Sequence, residues 1–280
     1  MSDPKDEYAT WPRRKVYGGD FSGAVDAGRR IWIATGAIQR KTLQIEQCQR
    51  GEDLHGSGRG RDRCLAALRD FIRKEADAVF GLDFPFGLPA GLVEEKGWEE
   101  FVRAFPKRYA SPEEFREACR GTADGRELRR ITDVASRTPF SPYNLRLYRQ
   151  TYFGIRDLLA PLVADRSAYV LPMQSALPGV PWILEICPAS LLKREGLYAP
   201  YKGTTRGHGR ARARILDRLE ASGELSLPAA KVRRAVVADP NGDALDSVLA
   251  ALGTFRALRN PDPVTPLRNR AYTLEGYVYA

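Results

Sequence analysis

The sequence predicts an α/β domain. Its mixed sheet joins a three-stranded antiparallel meander to parallel strands, with helices flanking it and a mainly helical insertion at about 90–165. Three observations lead there. Residues 15–50 read as three strands in succession, with short glycine-containing connections. Two later apolar runs, 78–82 and 181–187, are set apart by helical patterns, the alternation that produces parallel pairs. Finally, acidic side chains recur where these strands end and where the last helix begins.

The first strand, KVYGGD at 15–20, leads into the turn-rich FSGAVDAG. Strands at 30–37 and 42–49 follow, both rich in β-branched and aromatic residues. After the glycine-rich stretch 51–60, Leu65, Leu68, Phe71 and Ile72 fall on one face of a helix at about 61–76. The run AVFGL at 78–82 reads as a buried central strand, stopped at Asp83-Phe84-Pro85 because proline removes a ladder donor. Within the insertion, Ser111-Pro112-Glu113-Glu114 is a helix start with an N-cap and Pro at the first helical position. A further helix is expected at 143–163, and Trp98, Phe101, Phe105 and Tyr109 recur at a spacing that core packing explains. PWILEIC at 181–187 is another buried strand, and a basic segment at 193–218 precedes a last helix at about 242–258. The expected order is βββ-α-β-α-β-α in one domain spanning 1–280.

Composition narrows the function classes. Hydrophobic residues make up 43% and charged residues 28%, ordinary values for a globular protein. No apolar run reaches the roughly 18 residues of a membrane span. The first 15 residues lack an apolar core, so neither a signal peptide nor a membrane partner is expected. Cys48, Cys64, Cys119 and Cys187 are widely spaced, which argues against a disulfide framework or zinc knuckle and for a reducing cytoplasm. Only two histidines, His55 and His208, are present, and there is no G-x-S-x-G, so a Ser-His-Asp or His-rich zinc site is not expected. The net charge of +9 suits a phosphate-bearing partner such as nucleic acid.

The acids carry the chemistry. Asp20 closes the first strand, Asp83 closes the fourth and Glu185 lies inside the fifth. In open α/β sheets, sites form outside the carboxyl ends of strands. Carboxylates brought together there repel one another, and a hard divalent cation such as Mg²⁺ or Mn²⁺ resolves the conflict. The last helix adds Asp243 and Asp246, three apart and so on one face. The same side continues with the small residues Ala250, Gly253 and Ala257, while Leu245, Val248, Leu249, Leu252 and Phe255 form a bulky opposite face. Such a helix is expected to pack on both sides, its aspartates pointing into a crevice. The aspartates also have plainer readings: an Asx turn for one at a strand end, an N-cap for Asp243 and a dipole-favourable first-turn acid for Asp246, whereas Glu185, inside WILEIC, needs a buried partner.

The segments GGDFSGA, GLDFPFGLP, LEICPAS, YKG and GDALDSVLAALGTFRA, closing with EGYVYA, resemble the family designated domain of unknown function 429. The resemblance spans about residues 15–280, with 90–165 its least characteristic part. It implies an RNase H-like fold and a nuclease whose acids hold two metal ions. The metal-holding roles would fall on Asp20, Asp83, Asp243 and Asp246. Glu185 matches a fifth-strand acid of less defined role, counted here with the catalytic candidates. The fourth-strand acid sits in the rigid, proline-bounded DFPFGLP.

Ser22 and the basic residues Lys202, Arg206 and Arg210 are the candidates for holding substrate phosphates. The loop 55–61 precedes a helix but lacks the G-K-[ST] of a P-loop, so a linker is expected there. The leading expectation is a Mg²⁺- or Mn²⁺-dependent nuclease acting on DNA or RNA. Two others stand beside it. One is ATP-dependent phosphoryl transfer of the sugar-kinase and actin type, with Asp20-Phe21-Ser22-Gly23 as a phosphate loop. The other is a nucleic-acid-binding module of the same fold without turnover.

Overall fold

In the computed structural model, residues 15–259 and 269–279 are described, so the N-terminal segment read above as free of a targeting signal lies outside them. The chain starts with β1 (Lys15–Asp20), buried at every position after Lys15. A turn with the short helix α1 (Ala27–Arg30) leads to β2 (Trp32–Gln39) and β3 (Thr42–Arg50). Both pairings of this meander are antiparallel. Helix α2 (Arg61–Lys74) buries Cys64, Leu65, Leu68 and Ile72 and returns the chain to β4 (Val79–Asp83), which runs parallel to β1.

The insertion is helical, as its sequence suggests: α3 (Trp98–Arg108), α4 (Pro112–Thr122), α5 (Ile131–Ala135), α6 (Tyr148–Phe153) and α7 (Ala160–Ala164). Ser111 caps α4 by accepting from the Glu114 amide. Between α6 and α7 the helix widens into a π-turn at Gly154–Leu159. There Pro161 has no amide to offer the Asp157 carbonyl, which accepts from the Arg69 guanidinium instead.

Next come β5 (Tyr169–Leu171), β6 (Trp182–Ile186) and α8 (Pro188–Arg194). They are followed by α9 (Arg206–Ala221), β7 (Leu225–Ser226), α10 (Ala230–Ala238) and α11 (Asp243–Leu258). The short α12 (Arg270–Glu275) and β8 (Val278–Tyr279) end the described chain. The sheet order is β5-β6-β4-β1-β2-β3-β7, with β8 also on β6. The sequence pattern anticipates five strands. The three it misses, β5, β7 and β8, are two or three residues long, too short for an alternation to register.

Period-two alternation divides the strands between two helical layers. Tyr17 and Phe80 face α2 and the insertion, whereas Val16, Trp32 and Leu43 face the layer of α9, α10 and α11. Helix α11 packs across β1, β2 and β4 and is buried from Ala244 to Phe255. Its seat is made by glycine. A Cβ at Gly18 would lie 2.0 Å from the Ser247 carbonyl oxygen, and one at Gly81 would lie 1.8 Å from Thr254 Oγ1. The opposite, bulky side of α11 (Leu245, Leu249, Leu252 and Phe255) packs with Leu191, Ile215 and Leu216. The two-sided packing expected from the residue stripes is thus present.

Candidate functional site

Strand register sets the centre of the site. In the parallel β1–β4 pair Asp20 stands opposite Asp83, two residues beyond the glycine pair Gly18 and Gly81. Because alternate residues share a face, both carboxyls lie on the α11 side of the sheet. Asp246, in the first turn of α11, approaches from above and is 2% exposed. Asp20, Asp83 and Asp246 line one cleft of about 580 Å³, walled by Phe84, Phe140, Leu147, Ile186 and Tyr198 among others.

These carboxyls are electrostatically costly. Burial, the Asp246 and Asp243 charges and Asp83 together push Asp20 well above the ordinary carboxylate range. Burial and the neighbouring Asp246 push Asp83 up to about 8. Burial also raises Asp243, to about 6, and Asp246 moves the same way despite the Lys202 ammonium beside it. Among the described residues no donor is hydrogen-bonded to the carboxyl of Asp20 or Asp83. Asp20 is only 8% exposed, so it is a buried, unpartnered acid aimed into the cleft.

Asp246 is held from two sides. The Tyr201 hydroxyl donates to Oδ1 at 2.6 Å, and Lys202 Nζ lies 2.6 Å from Oδ2. Lys202 is also 3.9 Å from Asp243 Oδ1. Asp243 stands outside the cleft lining, so Asp246 replaces it as the helix acid nearest to Asp20 and Asp83. Capping of α11 falls to Asp239, whose carboxylate accepts from the Ala244 amide at 3.0 Å. Gly242 precedes the helix at φ +79, where a Cβ would also meet the Tyr201 ring at 2.8 Å.

Glu185 lines the same cleft, with Arg130 and Asp133, but reaches it from the other face of the sheet. It pairs in register with Leu82, one residue short of Asp83, so its side chain leaves the other face of the sheet. There Arg130 meets it with two nitrogens, at 2.5 and 2.8 Å, and the Phe86 amide donates to Oε2 at 2.9 Å. Arg130 also binds Asp133 at 2.7 Å, and all three side chains are buried. Glu185 thus has the buried partner that a carboxylate inside WILEIC needs, in an ion pair at the wall of the cleft. Glu275 closes the same region by accepting from the Ala90 and Ile131 amides, each at 2.7 Å.

The candidate phosphate-holding residues are dispersed. Ser22 Oγ accepts from the Ala24 amide in a turn, and Lys202 is engaged with the aspartates. Arg206 and Arg210 are exposed on α9, outside the cleft lining. Arg212, two residues on, is buried and donates to the Tyr201 and Gly203 carbonyls, which fixes the loop bearing Lys202. The Asp20–Gly23 turn is covered by the insertion: Gln150 donates to the Phe21 carbonyl, and a Cβ at Gly23 would lie 2.4 Å from the Arg149 carbonyl oxygen. The loop before α2 is docked as well, with its Arg59 carbonyl accepting from the Gly28 amide.

Sequence reasoning had not singled out Tyr201, Arg130, Asp133, Asp239 or Glu275 for these roles. Only Tyr201 carries a local signal, as the neighbour of Lys202 in YKG. In kind, the donor set suits a hard divalent cation: four carboxyls from three elements, of which only Asp246 has a donor within hydrogen-bond distance among the described residues. As the side chains stand, no three carboxylate, imidazole or thiolate groups among the described residues converge on one point at metal-ligand distance. The acids are instead arranged around the Lys202 ammonium. The four cysteines are free, and no described helix is long and apolar enough to cross a membrane.

No family model, no curated protein and no solved structure matches the chain.

Proposed function

We propose that this chain is a divalent-cation-dependent phosphodiesterase of RNase H-like architecture that hydrolyses nucleic acid. Asp20, Asp83 and Asp246 would hold Mg²⁺ or Mn²⁺, with Asp243 in support. One observation carries the reading: Asp20 and Asp83 stand side by side in register at the carboxyl ends of parallel strands, without protein donors, under an acid from α11. A cleft built this way repels an anionic substrate unless additional positive charge enters with it. Its two cationic side chains, Arg130 and Lys202, are already committed to carboxylates. A divalent cation bound there supplies the missing charge and Lewis acidity at a phosphodiester. The net charge of +9 on the whole chain points the same way.

The test is a cleavage panel of single strands, duplex, RNA–DNA hybrid and four-way junction, with Mg²⁺ or Mn²⁺. Cleavage by the wild type that is lost in Asp20→Asn and Asp83→Asn, with both variants folded, is the expected result. Failure of the wild type on every substrate with either ion would overturn the proposal.

A further inference from the structure

Lys202 sits where a cation held by Asp246 would have to bind. The Tyr201 hydroxyl occupies Oδ1 of that carboxylate and the Lys202 ammonium occupies Oδ2, both at 2.6 Å. A hard cation ligated by Oδ2 at about 2.0–2.4 Å would crowd an ammonium still bound there, with no screening water between two positive charges. The two therefore exclude each other. One cation or the other is needed there, because Asp246 and Asp243 crowd their negative charge around a single position.

The mechanics of the lysine fit such an exchange. Its side chain is 53% exposed, so it can rotate into solvent without opening the core. Its backbone is fixed: the Tyr201 and Gly203 carbonyls accept from Arg212, and the Gly203 amide donates to the Pro240 carbonyl at 2.6 Å. A half-exposed side chain on a fixed backbone leaves room for a second station of the ammonium at the cleft mouth.

We infer that Lys202 is a built-in, displaceable counter-cation of the aspartate cluster. It neutralises Asp246 and Asp243 when no metal is present, yields Asp246 Oδ2 to an incoming divalent cation, and is released to the mouth of the cleft, within reach of a substrate phosphate. This inference rests on the cation-binding reading above, yet it makes its own demand on affinity. Removing the lysine should strengthen cation binding, whereas removing a ligand should abolish it.

The experiment is calorimetric titration of the metal-stripped protein with MnCl₂, for wild type, Lys202→Met and Lys202→Gln, with Asp246→Asn as the ligand-deficient control. The expected result is a Kd for Mn²⁺ lower by about tenfold or more in both lysine variants, and no binding in the control. Melting in EDTA supplies a metal-free readout: both lysine variants should melt below the wild type, and Mn²⁺ should raise them by a larger margin. Equal or weaker Mn²⁺ binding in both lysine variants overturns the counter-cation role and leaves the cation site intact. Absence of Mn²⁺ binding in every protein overturns both the site and the exchange.

Discussion

Replacing Asp83 with Asn removes one carboxyl from a cluster that the fold holds together against its own electrostatics. Burial, with Asp246 beside it, raises Asp83 from an ordinary 3.8 to about 8. For a carboxyl raised in the folded state, the cost is absent below the unfolded value, where both states are protonated. It grows as pH rises, since the unfolded chain releases its proton first, and it levels off above the folded value. The slope is about 1.4 kcal/mol per pH unit, so the cost begins near pH 4, is about 4 kcal/mol at pH 7 and levels off only above about pH 8. Asp83 retains some contact with water, and its charge is shared with Asp246 and Lys202, which brings the working figure to about 2–3 kcal/mol. Asn has nearly the same shape and no charge to bury. In EDTA, Asp83→Asn should therefore melt roughly 5–8 °C above the wild type at pH 7 and together with it at pH 4. Adding Mn²⁺ should narrow or reverse the difference, because ligand binding stabilises only the protein that retains its site. The assay is calorimetric melting of both proteins from pH 4 to 8. A variant less stable than the wild type at pH 7, or a difference that does not change with pH, would refute the reasoning.

Substitutions at three other positions probe the supports of the site. Arg130→Met strands Asp133 and Glu185 as buried, unpaired charges and should cost about 3–5 kcal/mol in urea unfolding. Arg130→Lys should recover only part of that, since an ammonium lacks the guanidinium fork, and a loss below about 1 kcal/mol for the methionine variant would contradict the network. Tyr201→Phe deletes the hydroxyl that donates to Asp246 and should lower stability by about 1–3 kcal/mol, read from the urea midpoint at constant slope. Gly18→Ala drives a methyl group into the α11 backbone and should cost about 3 kcal/mol or more; unchanged melting would mean that the helix is not seated on that glycine.

Much of this arrangement could be read from residue patterns, for reasons that also explain what could not. The strands carrying Asp20 and Asp83 are buried on both faces, so they register as short apolar runs, and proline or turn residues mark their ends. The stripes of α11 disclose its two-sided burial because a helix repeats every 3.6 residues whatever it packs against. Pairing register is not local. Whether Glu185 points with Asp83 or away from it depends on a one-residue offset between β4 and β6, which no property of WILEIC encodes. Arg130 is invisible for a related reason: within ELRRITD nothing distinguishes it from Arg129, and its burial arises only when α5 docks over β6 and the C-terminal segment. Basic composition marks the whole stretch around Arg206, Arg210 and Arg212 as a phosphate contact, yet Arg206 and Arg210 are exposed outside the cleft lining and Arg212 acts through backbone carbonyls.

The glycine seat and the acid cluster are two ends of one geometric relation. Helix α11 touches β1 and β4 with its residues 247–254, at the level of Gly18 and Gly81. Two residues further along each strand, about 6.6 Å at a strand's rise, stand Asp20 and Asp83. Four residues back along the helix from Ala250, about 6 Å at a helix's rise, stands Asp246. The two displacements agree to within about 1 Å, so seating Ala250 over Gly81 brings all three carboxyls to one level. Larger residues at 18 and 81 would hold the helix away and separate the acids even if every aspartate were retained. The first turn of α11 further favours negative charge, and Asp239 takes the capping role that would otherwise occupy Asp243. The glycines therefore contribute closeness and Asp239 contributes availability. Together they explain why the fold presents Asp20 and Asp83 to the cleft without a protein donor, beneath an Asp246 held by Tyr201 and Lys202.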